Sequence, residues 1–104
     1  MTEPRQVAES PLTQGKDEVI VYKLATSNWG SSPTGVEVKL FDVTAGAYSD
    51  VSVTSLSGAA TVSGDEITLP AVQALSAGHD YRLEIKFTSG ANTFECWLLI
   101  HAEN

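Results

Sequence analysis

The stretch that most constrains this chain is its last quarter. From Tyr81 to Phe87 apolar and charged residues alternate without a fault. Tyr81, Leu83, Ile85 and Phe87 hold one parity; Arg82, Glu84 and Lys86 hold the other. Successive side chains of a strand point to opposite faces, so this period of two predicts a β-strand with one buried side. Ser89, Gly90, Ala91 and Asn92 then form a run of turn formers. A second alternating run extends from Thr93 to Ala102, with Phe94, Cys96, Leu98 and Ile100 on one face. Its other face carries Glu95, Trp97, Leu99 and His101, which is unusually apolar for a side turned to water. A chain that ends in such a pair needs another layer to cover its apolar side.

Upstream the strand signals are shorter. Residues 18–24 are rich in β-branched and aromatic side chains (Val19, Ile20, Val21, Tyr22) and read as a strand. Residues 27–35, with Trp29 among serines, glycines and a proline, read as a loop. Over 36–43, Val36, Val38 and Leu40 share one face while Glu37 and Lys39 share the other. Further strands are expected at 50–54, at 60–62, and at 66–69, where Pro70 lacks the amide proton to continue a ladder. Residues 70–75 can hold one helical turn at most. About seven short strands separated by turn formers predict an all-β domain, an immunoglobulin-like antiparallel β-sandwich of about seven strands. An up-and-down barrel is the alternative, since alternation does not fix topology. The 104 residues suit one domain with one core. Residues 1–17, polar and carrying Pro4 and Pro11, read as a flexible N-terminal arm before a sandwich domain at 18–104.

The segment before the strand at Tyr81 adds a local signature. In immunoglobulin-like sandwiches a tyrosine follows a tight corner, and its hydroxyl bonds to backbone a few residues upstream. Here Leu75 would cap the core, Gly78 would allow the turn and Tyr81 would supply the hydroxyl. A plain core aromatic is the other reading of Tyr81.

Little in the chain points to chemistry. A single cysteine, Cys96, excludes an intrachain disulfide and a cysteine metal cluster, and it falls on the inward parity. The only histidines, His79 and His101, lack an evident nucleophile beside them, so no catalytic residues are expected. There is no metal-binding motif and no glycine-rich phosphate loop, so neither metal nor cofactor is expected. Asp17–Glu18 and Asp65–Glu66 are adjacent carboxylates at strand starts; they read as solvated ends, with a calcium loop as the alternative. Thirteen acidic and six scattered basic residues give a net charge of −7, which argues against nucleic acid and anionic membrane as partners. The start at Met1-Thr2-Glu3-Pro4 shows no apolar leader, and no apolar run reaches membrane-spanning length. Function is therefore expected at the surface, at Trp97, Leu99 and Trp29, because tryptophan is enriched at the energetic centres of interfaces. Trp97 has two other readings: cover by the N-terminal arm, or a one-residue slip that exchanges the faces. Trp29 has one: its ring folded over the end of the sandwich.

The runs Val62-Ser63-Gly64-Asp65-Glu66-Ile67-Thr68-Leu69, Leu75-Ser76-Ala77-Gly78-His79-Asp80-Tyr81-Arg82-Leu83-Glu84-Ile85-Lys86-Phe87 and Asn92-Thr93-Phe94-Glu95 resemble small immunoglobulin-like structural proteins of tailed bacteriophages and prophages, of the tail or fibre-tail adaptor type. Ser27-Asn28-Trp29-Gly30 is similar to their Trp motif after a strand, and the resemblance spans about residues 18–102. Where related chains open on an acidic strand, this one has the more apolar Val19-Ile20-Val21-Tyr22. The resemblance implies a non-enzymatic virion protein of the head–tail or tail/fibre region, made in the bacterial host cytoplasm. It would dock onto other virion proteins or copies of itself. The alternative is a carbohydrate or cell-surface binding module, in which Trp29 and Tyr48 stack on sugar rings.

Overall fold

The computed structural model describes residues 12–26 and 32–103. Along the chain these form β1 (Leu12–Gly15), β2 (Lys23–Ala25), β3 (Thr34–Asp42), β4 (Ser49–Asp50), one helical turn α1 (Ser52–Ser55), β5 (Leu56–Ser57), β6 (Thr61–Ser63), β7 (Glu66–Thr68), β8 (Ala71–Val72), β9 (Asp80–Ser89) and β10 (Asn92–Glu103). The class is all-β. The largest sheet has the order β1-β10-β9-β3-β4, antiparallel throughout except that β1 runs parallel to β10. A second sheet has the order β2-β7-β6, and β5 pairs with β8. A bridge between Ile20 and Val72 adds one further link.

The alternating runs explain the centre. Gly90, at φ +60°, gives the hairpin turn a left-handed residue, and Ser89 pairs with Asn92 across it. The resulting register sets Phe87 opposite Phe94, Ile85 opposite Cys96 and Leu83 opposite Leu98. Phe87, Ile85, Cys96, Leu83 and Leu98 lie in one core cluster with Leu40, Ile100, Ala102 and Tyr81 of the large sheet, and half-buried Phe94 packs against it. The same cluster holds Leu24, Ile67, Leu69, Val72 and Leu75 from the smaller sheets and the segments beside them. Each such fully buried side chain contributes about 1.5–3 kcal/mol of transfer free energy.

Three expectations are corrected. The strand at 18–24 shrinks to Lys23–Ala25: upstream, Ile20 pairs with Val72 and the Tyr22 carbonyl accepts the Leu69 amide, while Val19 and Val21 stay 62% and 53% exposed. The strand at 50–54 is replaced by Ser49–Asp50 and α1. There the Asp50 carboxylate accepts the Ser52 amide at 2.9 Å, which turns the chain out of the sheet. The segment 70–75, where the sequence allowed one helical turn at most, holds β8 and no helix. Finally, the fold begins before residue 18. Gln14, 1% exposed, donates to the carbonyls of Val72 at 2.8 Å and Glu18 at 3.0 Å, and it accepts the Tyr22 hydroxyl at 2.7 Å. These bonds tie β1 into the domain, so 12–17 are not an arm; the rest of the expected arm, 1–11, lies outside the described residues.

The corner before β9 has a defined geometry. The Tyr81 hydroxyl accepts the Ser76 amide at 2.8 Å, Leu75 is buried, and Gly78 takes φ +82° while its amide donates to Ala102 at 2.8 Å.

Candidate docking face

The side of the large sheet turned away from the core is set by the same alternation. Its three central strands give three rows, read from β3 through β9 to β10. The first row is Glu37, Lys86 and Glu95; the second is Lys39, Glu84 and Trp97; the third is Phe41, Arg82 and Leu99. Charges of opposite sign thus neighbour one another both along and across the strands, an arrangement that contributes about 0.2–1 kcal/mol per cross-strand pair.

An aromatic and ionic chain crosses this face. The Tyr48 ring, just before β4, stacks on Phe41 with centroids 4.3 Å apart and planes 16° apart. Its hydroxyl donates to the Glu84 carboxylate, and this bond, with lesser help from desolvation and the carboxylate's charge, pushes the phenol's pKa up. Arg82 Nε lies 2.8 Å from the same carboxylate, an ion contact without an aligned hydrogen bond. The Arg82 guanidinium sits over the Trp97 ring, 4.3 Å from its centroid, in cation–π geometry. A groove of about 180 Å³ opens beside this chain, lined by Glu37, Lys39, Glu84, Lys86 and Glu95. Small-molecule sites run to roughly 300–1,000 Å³ and are mostly apolar. A shallow groove of alternating charge fits a flat partner surface better.

Trp97 and Leu99 lie together here, both half-buried, while Cys96, Leu98 and Ile100 are buried, so the register carries no one-residue slip. Trp29 lies outside the described residues. Tyr81, Leu75 and Gly78 are at the corner and not on this face.

The two histidines are close in the fold but do not converge. His101 Nδ1 lies 2.7 Å from Asp80 Oδ1, and both side chains take the outward parity. His79 Nδ1 lies 2.7 Å from Asp42 Oδ2, and its ring follows Tyr81 on the other side, with centroids 6.4 Å apart. Burial alone would raise the Asp42 carboxyl. The Thr44 hydroxyl, His79 and the Thr44 amide all bond to its charged form, and together they hold its pKa below the usual value. The adjacent carboxylates diverge. Glu18 accepts the Gly15 amide and Asp17 meets Lys16, while Asp65 accepts the Ser32 amide and Glu66 faces Lys23. Among the described residues, no three His, Cys, Asp or Glu side chains gather as a metal site, and no helix is long and apolar enough to cross a membrane.

Phe41 and Arg82 belong to the face and were not singled out by the sequence as contact residues; Tyr48 was named only as a sugar-stacking residue of the alternative reading. Parity in β9 and β10, joined across the Ser89–Asn92 turn, places Arg82 diagonally next to Trp97. Nothing in the sequence sets the β3 register that brings Phe41 and Tyr48 alongside. Compared with known proteins, the chain matches no family model, no curated protein and no solved structure.

Proposed function

We propose that this chain is a non-catalytic immunoglobulin-like docking module of a tailed-phage or prophage virion. The order β10-β9-β3-β4 corresponds to the G-F-C-C′ sheet of a variable-type immunoglobulin domain, and β2-β7-β6 corresponds to its B-E-D sheet. Tyr81 then opens strand F with its hydroxyl bonded back to Ser76, which supports the same reading. The virion assignment rests on the resemblance of residues 62–69, 75–87 and 92–95 to phage tail and fibre-tail adaptors.

The observation that carries docking is the outer face itself: Trp97 under Arg82 and Tyr48 on Phe41, set among charges that alternate in sign. Aromatic residues and arginine are enriched where interfaces hold their binding energy. The test begins with the genes beside this one. If they encode portal, capsid or tail proteins, one of these should co-purify with the wild-type chain and be lost with Trp97→Ala. Neighbours encoding glycan-degrading or secretion machinery, with glycan binding that Tyr48→Ala abolishes, would replace the proposal by the carbohydrate-binding reading.

A further inference from the structure

The outer face of the large sheet is complementary to itself. We infer that it pairs with the same face of a second copy, about a two-fold axis perpendicular to the strands that passes between the row of Glu37 and Lys86 and the row of Lys39 and Glu84. This rests on the docking reading above and names its partner.

The argument starts from charge. The three rows hold three basic and three acidic residues: Lys39, Arg82 and Lys86 against Glu37, Glu84 and Glu95. These three rows are therefore neutral in a chain whose net charge is −7, while Asp50 and Asp80 border them at one end. The other three basic residues stand against ten acidic ones, so on average any other approach of two copies brings like charge together. Glu37, Lys39 and Lys86 are exposed, and none forms a salt bridge with another described residue.

The order of the charges supplies the symmetry. A closed dimer uses one patch twice, so that patch must complement itself under rotation by half a turn. Along β3 the outward residues are Glu37 then Lys39; along β9 they are Lys86 then Glu84, one row in register with the other. A two-fold axis midway between the rows lays the strands of the two copies antiparallel and exchanges the rows. Glu37 then faces Lys39 of the second copy and Lys86 faces its Glu84, and each pair occurs twice. Glu95 faces Trp97 across the same axis. An axis parallel to the strands would instead set Lys86 on Lys86 and Glu84 on Glu84.

Size is consistent with a weak dimer. Three strands at about 4.8 Å, with outward residues every ~6.8 Å over four rows, cover roughly 400 Å² per copy, since β1 and β4 flank only one end of the face. That gives roughly 800 Å² in all, the size of a weak, transient contact.

Sedimentation equilibrium on the full chain tests this with charge-swapped partners. The wild type should be half dimeric at or below roughly 500 µM, as a weak interface of that size allows. The double variants Lys39→Glu/Lys86→Glu and Glu37→Lys/Glu84→Lys should each be monomeric there, with dissociation constants raised at least about tenfold. Mixed one to one, they should form a heterodimer. Circular dichroism melting of each variant shows that it is folded, and amide shifts of the wild type on dilution should move in β3, β9 and β10. A wild type still monomeric at ~1 mM would overturn the pairing, as would a dimer indifferent to these reversals. If it is monomeric but Trp97→Ala still releases a phage partner, only the self-pairing falls and the docking reading stands.

Discussion

The two sides of the β9–β10 hairpin share one backbone and differ only in parity, yet they obey different physics. The inner side is Leu83, Ile85, Phe87, Cys96, Leu98 and Ile100, each 3% exposed or less. It specifies nothing but shape and apolarity, and its contribution is transfer free energy of about 1.5–3 kcal/mol per large side chain. The outer side is a pattern of alternating charge with one tryptophan under one arginine, and each of its pairs contributes well under that. A strand pair can therefore be fixed by one face and leave the other free to choose a partner.

The contrast can be broken in order of size. Leu83→Ala on the inner face should lower unfolding free energy by about 2–5 kcal/mol in urea titration, because a cavity is added to the lost transfer term. A loss below ~1 kcal/mol would mean that the inner face is not tightly packed. Gln14→Leu probes the polar exception to the apolar interior. It removes the bond to the Val72 carbonyl, which keeps the Ile20 amide, and leaves the Tyr22 hydroxyl without its acceptor; about 1–3 kcal/mol is expected, whereas a neutral result would show that β1 is held by its ladder with β10 alone. Tyr81→Phe leaves the Ser76 amide without its acceptor; about 1 kcal/mol is expected, and unchanged stability would remove the corner from the account.

Acid sharpens the same contrast where the sheet ends. The folded-state pKa of Asp42 is depressed, so its contribution is complete above the unfolded value near about pH 4 and is lost as pH falls through the lower folded value. Stability measured from about pH 5 down to 2 should fall less steeply for Asp42→Asn than for the wild type. Equal slopes would place the acid sensitivity elsewhere.

Much of this molecule was legible because two of its strands are long and alternate cleanly. Tyr81, Leu83, Ile85 and Phe87 against Arg82, Glu84 and Lys86 leave one reading of the backbone, and Leu75, Gly78 and Tyr81 mark the corner. Short elements carry no such period. Val51 and Val53 alternate like a strand, but the Asp50 carboxylate captures the Ser52 amide and a helical turn results. Strand β1 is hidden for another reason: a glutamine in a polar run gives no apolar signal, and its burial depends on partners at Val72 and Tyr22 that only the fold brings near. The outer face was half legible. Parity placed Trp97 and Leu99 outward, while the stacking of Tyr48 on Phe41 depends on how β3 lies against β9 and on the turn before β4.

The central claim is that the outer face acts in binding and not in holding the fold together, and Trp97→Ala tests it most directly when melting and binding are measured on the same sample. The account predicts a stability loss of about 1 kcal/mol or less, a melting shift of roughly 5 °C, and loss of the bound partner. A collapse of the fold, or unchanged binding with an intact fold, would contradict it.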